Sequence, residues 1–214
     1  MGDDQDLVNK NRQLLPNNQN FVWLNQTHSN MCIDLDVDSN FANAALRADA
    51  CFSSRQKQVC AVMTADCLPI LLCDSQGTNV AAIHAGWRGL AGGVIENTVL
   101  KMPVNSKNLM AWMGPAISQT YFEVEKEIKK TFISYPGAFV KNNDISDEKY
   151  FADLYYIAKQ KLFSLGIKQV FGGEYCTYQQ TDMFFSHRRA THQNLDASNP
   201  IARTGRIVSA IYLD

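Results

Sequence analysis

The chain of 214 residues holds only four histidines, no Cys-x-x-Cys pair and no His-x-His motif. So few imidazoles exclude a histidine-rich multinuclear metal cluster alongside a second metal centre in one copy. The missing dithiol spacing argues against a four-thiolate zinc knuckle or a thioredoxin-type redox pair. No apolar run approaches the roughly 20 residues that a membrane span needs. The opening Met1-Gly2-Asp3-Asp4-Gln5-Asp6 lacks the basic and apolar segments of a secretory signal, so cytoplasmic residence is expected. Net charge is −1, which leaves no global field to draw nucleic acid or an anionic membrane. Any anion site must be local. There is no internal repeat and no low-complexity tract.

What is present suits a globular protein with ample core. Six cysteines (32, 51, 60, 67, 73 and 176) read as reduced thiols in a chain without a signal. Most lie in apolar context and read as small buried hydrophobes. The pattern predicts a short helix around Asp6 to Leu15, a loop at residues 16–20 and a strand from Phe21 to Leu24. Strands are expected at Val59–Thr64, Leu68–Cys73, Asn79–His84, Leu109–Met113, Lys168–Phe171 and Ile207–Leu213. Asp74-Ser75-Gln76-Gly77 reads as a turn. A helix is expected from the Gly86 to Gly93 stretch through Leu100, with an apolar stripe at 90, 94, 95, 99 and 100. Two more are expected at Glu123–Tyr135 and Tyr150–Leu165, the latter stopped by Gly166. Phe184 to Gly205 reads as a basic, loop-rich segment. Helices and strands interleave without strict βαβ regularity, which favours α+β with mixed sheets.

Cys67 in Thr64-Ala65-Asp66-Cys67-Leu68-Pro69 precedes His84 in Ile83-His84-Ala85-Gly86-Trp87-Arg88-Gly89 by seventeen positions, and His28 comes earlier in Gln26-Thr27-His28-Ser29. Three readings stay open. A Cys and two His are zinc-compatible ligands that leave room for a water in the fourth position. They are also the equatorial set of a blue-copper centre, with Met31 or Met63 as a distant axial ligand. Without metal, Cys67 is a candidate nucleophile with His84 or His28 as base. Asp66 beside Cys67, and Asp49 in Arg47-Ala48-Asp49-Ala50, could orient an imidazole or move a proton; Asp66 could equally brace a turn. Arg88, Arg188 and Arg189 are candidates for phosphate or carboxylate, while Arg203 reads as a solvated loop residue. Trp87, Tyr121, Phe184 and Phe185 could line a slot for a flat ring, or could be core.

The blocks Thr64-Ala65-Asp66-Cys67-Leu68-Pro69-Ile70-Leu71-Leu72, Ile83 to Gly89, Met113-Gly114-Pro115-Ala116-Ile117, Phe185-Ser186-His187-Arg188-Arg189 and Thr204-Gly205-Arg206 resemble the YfiH family, in order and over nearly the whole chain. The resemblance implies one α+β domain over residues 1–214, in a layered α/β/β/α arrangement with mixed sheets, similar to cytotoxic necrotizing factor deamidases. It assigns metal ligation to His28, Cys67 and His84. With it come zinc as the cofactor, or copper, and purine nucleoside and phosphate as small-molecule partners. The implied activities are phosphorolysis of adenosine, inosine and methylthioadenosine, and adenosine deamination. Copper-dependent phenol oxidation, or metal-free Cys–His hydrolysis of amide or peptide bonds, is the alternative. In that frame Cys67, His84 and Asp66 are the expected catalytic groups, and Arg88 and Arg189 the expected phosphate holders. Two departures stand out: the family's usual N-terminal strand and turn are not seen before Met1, and Ser29 replaces the usual Gly after the first ligand His.

Overall fold

The computed structural model describes residues 4–37, 46–143, 148–193 and 204–214. In chain order the elements are α1 (Gln5–Gln13), β1 (Phe21–Val22), β2 (Cys32–Asp34), β3 (Ala50–Ser53), β4 (Val59–Thr64), β5 (Leu68–Asp74), β6 (Val80–Ala85), α2 (Trp87–Gly92) and α3 (Val94–Lys101). They continue with β7 (Leu109–Met113), β8 (Glu123–Glu125), α4 (Lys126–Thr131), β9 (Phe139–Lys141), β10 (Lys149–Ala152), α5 (Leu154–Ser164), β11 (Gln169–Gly172), α6 (His187–Gln193) and β12 (Ile207–Ile211). Among the described residues the strands form three sheets. One has six strands in the order β11-β7-β5-β6-β3-β2, and two have three, β1-β4-β12 and β8-β10-β9. The large sheet is mixed, with parallel edges β2/β3 and β7/β11 around an antiparallel centre. The fold is therefore α+β with mixed sheets, as expected.

The centre of the large sheet follows from its sequence. The β5–β6 hairpin closes on Asp74, whose carboxylate accepts from the Thr78 and Asn79 amides at 2.7 and 2.8 Å, with Gly77 at φ +66. Alternation along β5 turns Leu68, Ile70 and Leu72 to one core. Leu71 and Cys73 face the other. The first core packs under α2, α3 and α5; the second fills the gap to the small sheet through Cys60 and Val62 of β4. Every residue of β6 is buried. A side chain such as Ile83, with no exposed surface, contributes about 2–3 kcal/mol. Helix α1 buries no side chain and meets the chain after β1 through Arg12, stacked 4.1 Å over the Trp23 ring.

Three expectations are corrected. The helix after Gly86 is two helices, because Gly93 at φ +84 breaks it; Leu90, Val94, Ile95 and Val99 are buried as the stripe requires, but Leu100 is exposed. Glu123 to Tyr135 begins as strand β8, followed by the short α4. Tyr150 to Leu165 begins as strand β10, and its helix starts only at Leu154, where the Asp153 carboxylate caps the Tyr156 amide at 2.9 Å. In both cases pairing of β10 with β8 and β9 overrides local helical periodicity. Within the basic segment, residues 187–193 are helical, and Arg203 lies outside the described residues.

Candidate metal site

The site grows from two adjacent strands. Asp49 immediately precedes β3, and His84 is the fifth residue of its antiparallel neighbour β6. The His84 amide donates to the Asp49 carbonyl at 2.7 Å, which continues the ladder and puts both side chains on the same side. His84 Nδ1 then meets Asp49 Oδ1 at 2.7 Å, with the two side chains 4% and 0% exposed. A carboxylate saturated with donors can only accept, so Nδ1 carries the hydrogen and Nε2 is the atom left for the site.

The same carboxylate receives the turn that bears His28. Its oxygens accept from the Thr27, His28 and Ser29 amides at 3.2, 2.9 and 2.6 Å, and from the Ser29 hydroxyl at 2.7 Å. His28 itself takes the left-handed conformation, φ +60. Its exposed ring stands 4.8 Å from the His84 ring, edge to face, and its Nε2 lies 3.7 Å from Cys67 Sγ.

Cys67 sits at the head of β5, in a turn forced by Asp66 at φ +88. Strand register pairs Leu68 with Ala85, which brings Cys67 opposite Gly86. A Cβ on Gly86 would lie 3.0 Å from both Cys67 Sγ and His28 Cδ2, so glycine keeps that space open. One ligand atom from each of His28, Cys67 and His84 falls within 4.8 Å of the other two. Ligands of a tetrahedral zinc stand roughly 3.3–3.8 Å apart, and the 3.7 Å His28–Cys67 separation lies in that range. Among the described residues no other group of His, Cys, Asp or Glu is arranged to hold a metal. The donor set and the cleared space fit a small thiophilic ion such as zinc.

Electrostatics agree with the geometry. Burial pushes the Cys67 thiol up, but hydrogen bonds to His28 and His84 outweigh it and bring it to about 6. Burial pulls His84 down, but Asp49 and Cys67 raise it to about 9. Burial likewise opposes ionisation of Asp49, yet His84 and Ser29 hold it at about 2.

Beside the ligands lies an open cleft of ≈ 150 Å³. His28, Cys67, Trp87 and Arg88 line it together with Phe122, His187 and Arg188. Arg88 is exposed, and its partner among the described residues is the Trp87 ring, 4.4 Å away. Arg188 donates through both terminal nitrogens to the Glu123 carbonyl at 3.1 and 3.0 Å, which leaves three of its five N–H groups for a ligand.

Two expected site residues are used differently. Arg189 does not line the cleft: three of its five guanidinium N–H groups donate to the carbonyls of Thr177, Tyr178 and Phe184 at 2.7, 2.8 and 2.6 Å and brace a loop. Asp66 lines the cleft, but one carboxylate oxygen accepts from Thr177 Oγ1 at 2.7 Å and the other from the Arg188 amide at 2.6 Å. Both oxygens are thus engaged in bracing, one of the two readings open for that residue. Of the four candidate aromatics, Trp87 lines the cleft; Tyr121 stacks on Tyr178, Phe184 packs against Tyr175, and Phe185 is half exposed against Gly205. Phe122 and Leu154 also line the cleft and carried no sequence signal, because each enters beside a strand that reads locally as helix. All six cysteines are free thiols.

A family model described as multi-copper polyphenol oxidoreductase laccase matches residues 1–214. The chain belongs to that family. A protein of Escherichia coli K12 named purine nucleoside phosphorylase YfiH is 42% identical, over 99% of this chain and 83% of its own length. A purine nucleoside phosphorylase of Haemophilus influenzae is 38% identical, over 100% of this chain and 84% of its own. Among solved structures, Neisseria meningitidis protein NMB0706 superposes with a TM-score of 0.80 at 39% identity, covering 98% of this chain and 79% of that one. The laccase family thus contains relatives named for nucleoside chemistry, and the site's residues must decide between the two. No helix among the described residues is long and apolar enough to cross a membrane.

Proposed function

We propose that the protein is a zinc-dependent purine nucleoside enzyme, acting by phosphorolysis of adenosine, inosine and methylthioadenosine and by deamination of adenosine. The observation that carries the reading is the convergence of His28, Cys67 and His84 within 4.8 Å, with His28 and Cys67 lining a cleft that bears two arginines. The relatives named purine nucleoside phosphorylase support the substrate class. A zinc held by the three ligands would supply Lewis-acid polarisation and an acidified water in its fourth position.

The chain's own residues account for binding. Arg88 and the three remaining N–H groups of Arg188 suit the planar, multidentate recognition of phosphate. Trp87 and Phe122 offer apolar faces to the purine. In phosphorolysis a phosphate oxygen bonds to C1′ while the N9–C1′ bond breaks and the base leaves with its bonding pair. His187, an exposed imidazole in the cleft with no side-chain hydrogen bond among the described residues, can donate the proton that base needs. Asp66, with both oxygens engaged, is the weaker candidate for that proton. The test is zinc-loaded protein with adenosine and phosphate. Adenine with ribose 1-phosphate, and inosine with ammonia, are the expected products; neither appearing would end the proposal.

A metal-free cysteine hydrolase is a second reading, favoured by Cys67 at about 6 beside His84 at about 9, a thiolate–imidazolium pair at neutral pH. Full activity on an amide after exhaustive chelation, lost on alkylating Cys67, would select it. Copper-dependent phenol oxidation is supported by the family description and by the same one-sulfur, two-imidazole donor set. With His28 and His84 in one centre, His187 and His192 remain, too few for a multinuclear cluster.

A further inference from the structure

Five donors converge on the Asp49 carboxylate. Oδ1 takes the His28 amide and His84 Nδ1–H; Oδ2 takes the Thr27 amide, the Ser29 amide and the Ser29 hydroxyl. Three successive backbone N–H groups aimed at one anion form a concave nest, closed here by a carboxylate of the chain itself. The nest requires the left-handed turn at His28, a conformation disfavoured for a non-glycine residue. Asp49 is fully buried, so water cannot replace these bonds.

We propose that Asp49 is the positioning residue that builds both imidazole arms of the site from one carboxylate. It fixes His84 directly, as the Nδ1–H tautomer with Nε2 free. It fixes His28 indirectly, by holding the amides of the turn that carries it. The His28 ring is exposed, and its contacts are to the other ligand side chains, His84 and Cys67. Without Asp49 the turn loses its anion, and the two rings lose their common reference. The inference rests on the reading that His28, Cys67 and His84 hold zinc. Ser29 sharpens it: its hydroxyl donates to Asp49 and accepts from the Met31 amide at 3.2 Å, which glycine could not do.

The test measures zinc affinity by competition with a chromophoric chelator, and hydrogen exchange of the Thr27, His28 and Ser29 amides in metal-free protein. Asp49→Asn keeps the shape but turns a donor toward the nest. It should weaken zinc 10- to 100-fold, the range for loss of an outer-shell carboxylate, and deprotect the three amides selectively. Asp49→Glu, charged but one methylene longer, should recover part of the affinity. Cobalt in place of zinc should show an altered ligand-field spectrum in Asp49→Asn, a change that a general loss of stability does not produce. If Asp49→Asn fails to fold, Ser29→Ala, which removes one of the five donors, should still weaken zinc about threefold. Zinc bound within twofold of the parent protein by the variant that folds overturns the proposal. Should the parent protein bind no zinc, the zinc reading fails by itself. Exchange then decides: amides as protected in the variant as in the parent overturn the role of Asp49.

Discussion

Asp49 and Asp66 are both buried, both lie next to the candidate ligands, and both give each carboxylate oxygen to protein donors. They differ in what hangs from them. Asp49 gathers the His28 turn and the His84 ring. Asp66 gathers Thr177 and the first turn of α6, whose His187 and Arg188 line the cleft. One carboxylate therefore organises where a metal could sit, and the other organises where a substrate could lie. Burying a carboxylate away from the reacting atoms is costly unless it is fully bonded, and each of the two is bonded to a different half of the site.

This division can be broken by experiment. The largest effect is expected at the ligands themselves: Cys67→Ser should lower zinc affinity by more than about 100-fold, beyond the loss expected at Asp49, as read by chelator competition. Acid should then separate the ligand half. Asp49 is held at about 2 against an ordinary 3.8, so its contribution is present above pH 3.8 and is lost as pH falls through about 2. The parent protein should therefore exceed Asp49→Ala in stability by about 2 kcal/mol above pH 3.8, an advantage that shrinks as pH falls through about 2. Asp66→Asn should leave zinc affinity within about threefold while costing about 1–3 kcal/mol in denaturant unfolding and lowering kcat/KM. A loss of zinc as large as that in Asp49→Asn would erase the distinction. Smallest should be the arginine pair: Arg88→Gln should raise the KM for phosphate about tenfold, equivalent to about 1.4 kcal/mol, with no change in Tm. Arg189→Gln should lower Tm and leave that KM alone.

The sequence is informative where neighbours along the chain are neighbours in space. Val59–Thr64 and Leu109–Met113 occupy the expected residues, and β5 and β6 differ from expectation by a residue at their ends. That suffices to bring Cys67 opposite Gly86 and to leave His84 at the sheet's end. Asp49 as an orienting acceptor is also legible, since an acidic residue between small apolar ones reads as buried. Its hold on the His28 turn is not, because the left-handed conformation at His28 depends on a carboxylate some twenty residues away. Arg188 and Arg189 are adjacent, and only the orientation of α6 decides which faces the cleft. Phe122 and Leu154 escape for a different reason. The strands beside them are held by β8–β10–β9 pairing across long separations, which local periodicity does not contain.

X-ray absorption at the zinc edge of the loaded protein examines the three ligands together. The spectrum should require one sulfur at about 2.3 Å and two imidazole nitrogens at about 2.0 Å, with a further light atom. A fit without sulfur, or with a single imidazole, would contradict a site made of His28, Cys67 and His84.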